Sequence, residues 1–278
     1  MADDLVVDDY ELLDVGGGAR LERFGSRVVV RPHPAATGDR TNRAPWSEAS
    51  LTFEPGHGWR GRDAAAPWEV AVAGVAVELR ATPTGQVGLF PEQSPSWEWL
   101  GNRVTPGMHV LNLFGYTGVA TLVAAAAGAS VVQVDASRPT IAWARRNAEL
   151  SALADRPIRW IVDDASAFTA REIRRGRRYD GVVLDPPSYG HGSAGPAWRL
   201  EDDLAPLLEG CAKLIGGSDG FVVLTGHTPG FGPDRLAEEL GAAIGVSAGD
   251  RERGPLRLTA RTGAAIDLGA FVRWAGTR

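Results

Sequence analysis

Two glycines and two aspartates in the second half of the chain have the types and spacing of a nucleoside site. Gly115 and Gly118 follow one apolar segment, Asp135 ends the next, and Asp185 ends a later one before Pro186-Pro187. If these segments are parallel strands, their polar ends meet at one edge of a sheet, where open α/β sheets bind ligands. Glycines let backbone amides approach a ligand at a helix start, and a carboxylate can accept both hydroxyls of a ribose.

The turn Phe114-Gly115-Tyr116-Thr117-Gly118 lacks the third glycine of a dinucleotide fingerprint and the Gly-Lys-Ser/Thr ending of a phosphate loop. Without a lysine it fits a carboxylate and an ammonium group better than a pyrophosphate. The ligand that this turn suits is therefore a nucleoside with an amino-acid tail. A plain strand-to-helix turn is the alternative interpretation.

Acidic residues follow two further strands. Asp135 is interpreted as a ribose acceptor, although it could instead cap the next helix, a role that Ser137 could also serve. Asp164, in the pair Asp163-Asp164, is predicted to accept a hydrogen bond from an exocyclic amine such as adenine N6. Either acid could cap the helix that follows, and the pair permits both roles.

The segment Asp185-Pro186-Pro187 predicts a rigid polar corner, because proline locks its own φ and donates no hydrogen bond. The Asp185 carboxylate and nearby carbonyls can accept from an amine or imine. Tyr189 could stack on a planar ring. His227, just beyond a later strand, is a candidate general base, and a polar loop histidine is the alternative.

The elements that must position these residues change character near residue 94. Residues 10–81 contain short β-like segments separated by glycine and proline, with a hairpin over 68–81 that turns at Ala73-Gly74. From residue 94, strands and helices alternate, which predicts an α/β fold with a Rossmann-like parallel sheet and right-handed crossovers. We expect a small N-terminal β-rich domain over 1–93, as a substrate or lid domain, and a second domain over 94–278. Strands are predicted at 110–114, 130–135, 158–162, 179–184, 220–224, 255–260 and 271–274, and helices at 94–102, 119–127, 139–150, 165–175, 202–214 and 233–240.

The composition excludes several classes of protein. The 278 residues carry 29 basic and 34 acidic side chains, a net charge of −5, so any contact with nucleic acid must be a local patch. A single cysteine, Cys211, excludes an internal disulfide framework, and the five histidines show no metal spacing. The N-terminus does not resemble a signal peptide, and we expect a cytoplasmic, metal-free protein.

These motifs together resemble the class I S-adenosylmethionine-dependent methyltransferases, and more narrowly the bacterial 23S ribosomal RNA methyltransferase family with cytosine-C5 and guanine-N7 enzymes. The resemblance rests on residues 110–118, 134–137, 164–165 and 184–190, with weaker matches at 88–93 and 257–274. It implies S-adenosylmethionine as cofactor. It places the cofactor against Phe90, Gln93, Phe114, Gly115, Tyr116, Thr117, Gly118, Asp135, Ala136, Ser137, Asp164, Ala165 and Asp185. It places the transferred methyl near Asp185 and Pro186, and Pro187 and Tyr189 are further candidate catalytic residues beside them.

Three departures from this family narrow the chemistry. Cytosine-C5 enzymes need a cysteine nucleophile near a strand end, but Cys211 lies in a predicted helix, so a covalent C5 mechanism is not expected. We expect the N-terminal RNA-binding accessory domain that is common in the family to be missing or reduced. Ser188 follows the diproline where exocyclic-amine enzymes have an aromatic residue. A ring nitrogen or another heteroatom is the most compatible target.

Two arginine clusters could contact phosphates. We interpret the cluster at residues 171–178 as a solvated helix end, and the N-terminal cluster as the candidate patch for ribosomal RNA. The N-terminal patch comprises Arg20, Arg23, Arg27, Arg31, Arg40 and Arg43. A small-molecule methyltransferase, with the N-terminal unit as a substrate lid, is the alternative function, and a non-catalytic cofactor-binding scaffold is a third.

Overall fold

The computed structural model describes residues 9–41, 44–190, 197–217, 219–245 and 251–276. The chain divides into two compact units. The first comprises Met1–Pro95 with Arg257–Leu268, and the second Ser96–Leu256 with Gly269–Arg278. The division at Pro95 lies near the boundary expected from the sequence. The grouping of residues 257–268 with the first unit was not expected.

The first unit is built on a five-stranded sheet of order β1-β2-β3-β4-β5. Four of its apolar residues, Leu21, Phe24, Val29 and Leu51, are fully buried. A separate hairpin, β6-β7, pairs Val72 with Val75 around the predicted turn. The elements are β1 (Tyr10–Gly16), β2 (Ala19–Phe24), β3 (Arg27–Pro32), α1 (Ala44–Ser47), β4 (Leu51–Glu54), β5 (Gly58–Gly61), β6 (Trp68–Val72), β7 (Val75–Leu79) and a 3-10 helix (Pro91–Gln93).

A seven-stranded sheet has the order β10-β9-β8-β11-β14-β16-β15 and belongs to the second unit, except for residues 257–259 of β15 and 265–268 of β16. The first five strands in that order are parallel, and β16 runs antiparallel to β14. The elements are α2 (Ser94–Arg103), β8 (His109–Leu113), α3 (Val119–Ala126), β9 (Ser130–Asp135), α4 (Arg138–Leu150), β10 (Ile158–Val162), α5 (Ala165–Arg174), β11 (Gly181–Leu184), β12 (Tyr189–Gly190), β13 (Trp198–Arg199), α6 (Leu200–Leu214), β14 (Phe221–Gly226), α7 (Pro233–Ile244), β15 (Arg251–Thr259) and β16 (Ala265–Ala275).

The parallel strands β8, β9, β11 and β14 are buried on both faces, which explains their nearly continuous apolar sequence, whereas the edge strand β10 is partly exposed. Alternate residues of β11 enter different cores. Val182 and Leu184 pack in the cluster that contains residues of α5, α6 and α7, whereas Val183 packs in the cluster with residues of α2 and α3. The structure therefore confirms the predicted Rossmann-like α/β sheet and the β-rich N-terminal region.

The clearest differences from the sequence prediction are at strands with mixed composition. Strand β5 was not predicted, because Gly58-Trp59-Arg60-Gly61 lacks an apolar run. Strand β16 covers eleven residues, far beyond the predicted 271–274, because its alternation starts with polar and small residues. None of the helices in the described part of the chain has the length and apolar character needed to cross a membrane.

Candidate functional site

The register of the parallel sheet brings the predicted site residues to one level. Leu113 at the end of β8 pairs with Val134 of β9 and with Leu184 of β11, and Leu184 also pairs with Leu224 of β14. The residues that follow these four therefore lie at the same edge of the sheet. They are Phe114, Asp135, Asp185 and Thr225.

The turn after β8 has an unusual backbone. Phe114 and Tyr116 both have left-handed conformations, with φ of 56° and 46°, and Gly118, at 93°, is the N-cap of α3. Left-handed backbone is uncommon for residues with a β-carbon and is held only by surrounding contacts. The backbone N–H of Tyr116 donates to Oδ2 of Asp135 at 3.0 Å, which ties the turn to the next strand.

Two buried amides that the sequence analysis did not identify fix the rest of this turn. Nε2 of Gln133 donates to the Tyr116 carbonyl at 2.9 Å, and Nδ2 of Asn147 donates to the Thr117 carbonyl at 2.9 Å. Gly115 is required by this packing, since a Cβ at that position would lie 2.5 Å from Cγ of Gln133. Gln133, the only polar residue within the apolar run of β9, was the signal that could have revealed this role.

Asp135 receives backbone hydrogen bonds on both carboxylate oxygens. Tyr116 donates to Oδ2, and the N–H of Ser137 donates to Oδ1 at 2.9 Å. Burial raises the pKa of Asp135 above its usual value, and the two N–H groups oppose that effect. The helix cap is instead Ser137, whose hydroxyl accepts from the Thr140 N–H at 3.3 Å, so the capping alternative for Asp135 does not apply. Ala136 links the two.

The two acidic residues after β10, Asp163 and Asp164, make different contacts. Oδ1 of Asp164 accepts from the Ala167 N–H at 2.8 Å, which makes Asp164 the N-cap of α5. Asp163 accepts from the Asp164 N–H and forms an ion pair with Arg171. Ala165 is the buried first residue of α5. The cap contact occupies one of the two oxygens of Asp164, and the proposed contact with adenine would fall to the other.

Three polar side chains meet beyond β11 and β14. The hydroxyl of Thr225 donates to Oδ1 of Asp185 at 2.5 Å, and Nε2 of His227 lies 3.2 Å from the same oxygen. Gly269 provides the space behind the imidazole, because a Cβ there would lie 3.0 Å from Nδ1 of His227 and 2.3 Å from the Gly226 carbonyl oxygen. The structure thus brings His227 to Asp185, and it adds Thr225, which the sequence analysis did not assign.

The diproline corner is held by an aromatic contact. Nε1 of Trp198 donates to the Pro187 carbonyl at 2.7 Å, and the Trp198 ring lies 5.1 Å from that of Phe114. Pro186 is buried, and Tyr189 is 72% exposed. Trp198 therefore connects the corner to the turn after β8. Tyr189 keeps an aromatic face accessible beside the corner, as stacking would require.

Cys211 lies away from these strand ends, inside α6. Its side chain is 1% exposed, and burial raises the pKa of the thiol to about 12. A thiol in this environment stays protonated at neutral pH, so it cannot serve as a nucleophile. A reaction without a cysteine nucleophile stays a prediction, which the burial of Cys211 supports.

Phe90 and Gln93 belong to the first compact unit. Phe90 is the N-cap of the 3-10 helix and Gln93 is its last residue, and the Gln93 N–H donates to the Phe90 carbonyl at 3.1 Å. Their assignment to the cofactor stays a prediction.

The prediction that the N-terminal arginines form an RNA-binding patch is wrong for two of them. Arg20 and Arg31 are 5% and 2% exposed, and both form ion pairs with the fully buried Glu22. They stabilise the interior of the first unit and cannot present charge to RNA. Arg23, Arg27 and Arg40 remain at least partly exposed, and Arg43 lies outside the described residues.

In the cluster at 171–178, the first arginine pairs with Asp163, and Arg175 pairs with Glu172 at 2.9 Å. These contacts agree with the interpretation of this cluster as a helix end. Among the residues that the structure describes, no group of three or more histidine, cysteine or acidic side chains is arranged to hold a metal ion.

Comparison with known proteins identifies the family. The S-adenosylmethionine-dependent methyltransferase family matches residues 52–255. The crystal structure of an S-adenosylmethionine-dependent methyltransferase from Agrobacterium tumefaciens is 36% identical, covers 97% of this chain and 91% of its own, and superposes with a TM-score of 0.90. A methyltransferase crystallised with S-adenosylhomocysteine has a TM-score of 0.76 at 16% identity, which supports the fold alone.

Curated relatives match over shorter segments. Ribosomal RNA large subunit methyltransferase K of Neisseria meningitidis is 31% identical over 162 residues, which are 58% of this chain and 45% of that protein. Methyltransferase K/L of Methylococcus capsulatus is 34% identical over 127 residues, 42% of this chain and 17% of that protein. The chain thus spans less than half the length of these curated relatives. From the family match and the Agrobacterium structure, it belongs to the S-adenosylmethionine-dependent methyltransferase family.

Proposed function

We propose that the protein transfers a methyl group from S-adenosylmethionine to a base of large-subunit (23S) ribosomal RNA, without a cysteine nucleophile. The observation that carries the proposal is the convergence of Asp135, Asp164 and Asp185 with a glycine turn at one edge of a parallel sheet. The names of the matched relatives support ribosomal RNA as the acceptor. Such a substrate would also place the protein in the cytoplasm.

The residues at this edge fit the cofactor chemically. Each oxygen of the Asp135 carboxylate accepts one backbone N–H and retains a second acceptor position, which suits the two ribose hydroxyls. The second oxygen of Asp164 suits the adenine amine. Phe114 to Gly118 would surround the methionine part, with Ala136, Ser137 and Ala165 as the backbone beside the nucleoside. When bound, S-adenosylmethionine supplies an electrophilic methyl group on a sulfonium.

The acceptor base would lie between the diproline corner and Tyr189. Transfer from a sulfonium needs an in-line approach, so positioning of the acceptor dominates. The Asp185 carboxylate, whose Oδ1 is oriented by Thr225, would hold the acceptor through a hydrogen bond. Tyr189 would stack on the base from its exposed position. Pro186 and Pro187 fix the corner because their φ angles cannot change.

His227 would take up a proton when the acceptor loses one. Its Nε2 lies 3.2 Å from the Asp185 carboxylate, so a protonated imidazole formed there would be stabilised by the adjacent negative charge. The burial of Cys211 supports direct transfer rather than a covalent enzyme–base adduct.

We still propose that the N-terminal unit contacts RNA, but through fewer arginines than the sequence predicted. Arg23, Arg27 and Arg40 are the described arginines of the original patch with accessible side chains. Arg23 pairs with Glu11 at 3.3 Å, and Arg27 lies 4.5 Å from the Trp68 ring centroid. Because these charges are few and partly paired, we expect a modest dependence of RNA affinity on salt.

Nucleoside mass spectrometry tests the proposal directly. Ribosomal RNA from a strain that lacks the gene would be incubated with purified protein and S-adenosylmethionine carrying a deuterated methyl group, then digested. The proposal requires one nucleoside of the large-subunit RNA to gain the label, with Asp185→Ala protein as the inactive control. If the RNA stays unlabelled while the protein binds the cofactor, the RNA substrate is wrong.

A further inference from the structure

A cleft of about 810 Å³ lies within the first compact unit. It is lined by Gly17, Asp39, Arg40, Trp46 and Ser47. Its volume is within the range of about 300–1,000 Å³ that small-ligand pockets occupy. None of these five residues belongs to the cofactor site proposed above.

The centre of the cleft is a stacked pair. The guanidinium carbon of Arg40 lies 4.0 Å from the centroid of the Trp46 ring, within the range of a cation–π contact. Trp46 is 8% exposed, whereas Arg40 is exposed. Gly17 allows this arrangement, since a Cβ there would lie 3.1 Å from Nε of Arg40. Arg40 thus projects a planar, charged surface that is backed by the indole.

A single buried carboxylate holds both sides of the pair. Oδ2 of Asp14 accepts from Nε1 of Trp46 at 2.8 Å and from the backbone N–H of Thr41, next to Arg40, at 3.0 Å. Asp14 is 4% exposed. Burial acts to raise the pKa of this group, but its hydrogen bonds with Trp46, Val15 and Thr41 outweigh burial and lower it. The Arg40–Trp46 pair is therefore ordered before any ligand arrives, which lowers the entropy cost of binding.

The lining selects for a flat and only weakly charged ligand. Among the residues that the structure describes, the lining contains one arginine and one aspartate, so these residues do not concentrate positive charge as a phosphate site would. Arginine planes and aromatic rings are the groups on which unpaired RNA bases stack, and hydroxyl and carboxylate groups can hydrogen-bond to base edges. In this cleft, Ser47 has a hydroxyl group and Asp39 has a carboxylate.

We infer that this cleft binds one unpaired base of the RNA substrate, stacked on the Arg40–Trp46 pair. The inference rests on the proposed function, because it takes RNA as the substrate. It assigns this subsite to RNA binding rather than to methyl transfer. Loss of the subsite should therefore weaken RNA binding and raise KM for RNA, with little change in kcat or in cofactor affinity.

Equilibrium binding of a single-stranded RNA oligonucleotide of mixed sequence tests the inference. Fluorescence anisotropy would be measured with S-adenosylhomocysteine present, for wild type, Arg40→Ala, Arg40→Lys and Arg60→Ala. Arg60 is the matched control, an exposed arginine of the same unit that pairs with Glu54 at 3.0 Å. We expect Arg40→Ala to weaken binding about tenfold, the size of one lost base stack, and Arg60→Ala to stay within about twofold.

Arg40→Lys separates stacking from charge, since it keeps the charge and loses the plane. We expect it to bind as weakly as Arg40→Ala. Wild-type affinity in Arg40→Lys, equal affinities of Arg40→Ala and Arg60→Ala, or no RNA binding by wild type would each overturn the inference. Because binding is read without turnover, a wild-type protein that binds RNA through Arg40 but methylates none would contradict the proposed function alone.

Discussion

Nε2 of His227 lies 3.2 Å from Oδ1 of Asp185, the oxygen to which Thr225 also donates. The two residues are more than forty positions apart in the chain, and the pairing of Leu184 with Leu224 brings them together. From the sequence, Asp185 was interpreted by itself. In the structure it forms a group of three residues with Thr225 and His227. This group is the centre of the proposed acceptor site.

Replacement of His227 by asparagine tests its role as a base. We expect kcat to fall roughly a hundredfold, the lower range of general acid–base effects, with an altered pH profile and unchanged affinity for S-adenosylhomocysteine. The measurement is the initial rate of methyl transfer across pH. His109→Asn is the control, because His109 is an exposed histidine at the opposite end of β8. An unaltered rate and pH profile in His227→Asn would remove this residue from the mechanism.

Asp135→Asn tests the proposed ribose contact. The amide keeps the size of the side chain but removes the charge and one acceptor. We expect affinity for S-adenosylhomocysteine to fall roughly ten- to a hundredfold, because hydrogen bonds to a charged group contribute about 1.5–3 kcal/mol. Calorimetric titration measures this. Asp155→Asn, at an exposed turn position, should bind like wild type. Equal affinity of the two variants would contradict the assignment.

Cys211→Ala tests transfer without a cysteine. We expect kcat per folded molecule to match wild type within about twofold, because the buried thiol is protonated at neutral pH. A loss of methyl transfer in a protein that still binds S-adenosylhomocysteine would contradict direct transfer.

The same variant tests the effect of burial on the thiol. Its folded pKa, about 12, is raised above the usual 9.0, so its contribution to stability is present below pH 9 and is lost as pH rises towards 12. We would measure the free energy of unfolding by urea titration at pH 7 and at pH 10. Between these two pH values it should fall less in Cys211→Ala than in wild type. An identical loss in both proteins would argue against a buried thiol.

Glu22→Gln tests the buried ion pairs of the first unit. The substitution leaves Arg20 and Arg31 without their counter-charge, and we expect a loss of about 3 to 5 kcal/mol in the free energy of unfolding at pH 7. Glu54→Gln, in the exposed pair with Arg60, should cost less than about 1 kcal/mol. Urea titration followed by circular dichroism measures both, and similar small losses would refute the structural role of this cluster.

The pH dependence of the same variant has a defined sign. Burial acts to raise the pKa of Glu22, but the charges of Arg20 and Arg31 outweigh it and lower the pKa from 4.5 to about 2. Its stabilisation is therefore complete above pH 4.5 and is lost as pH falls to 2. The difference in stability between wild type and Glu22→Gln should narrow over that interval. A constant difference would mean that the carboxylate is not held ionised.

The local sequence was sufficient for the alternation of strands and helices and for the residues at the strand ends. An apolar run, a glycine turn and an acid are local signals, and the alternation of strands and helices predicts the parallel pairing of β8, β9, β10, β11 and β14. Asp135, Asp185 and the turn at 114–118 were predicted as site residues in this way, and the structure places them at one edge of the sheet. The sequence also offered Ser137 as an alternative to Asp135 for the helix cap, and the structure shows that Ser137 is the N-cap of α4.

Tertiary structure alone decided which distant side chains meet. Arg20 and Arg31 are buried, whereas other arginines near them in the sequence are exposed, and the local sequence does not distinguish the two groups. Contacts of Asn147 with Thr117, of Trp198 with Pro187, and of Thr225 and His227 with Asp185 depend on strand register and helix packing. These relationships join residues far apart in the chain, and no local pattern encodes the distance between two elements that fold onto each other.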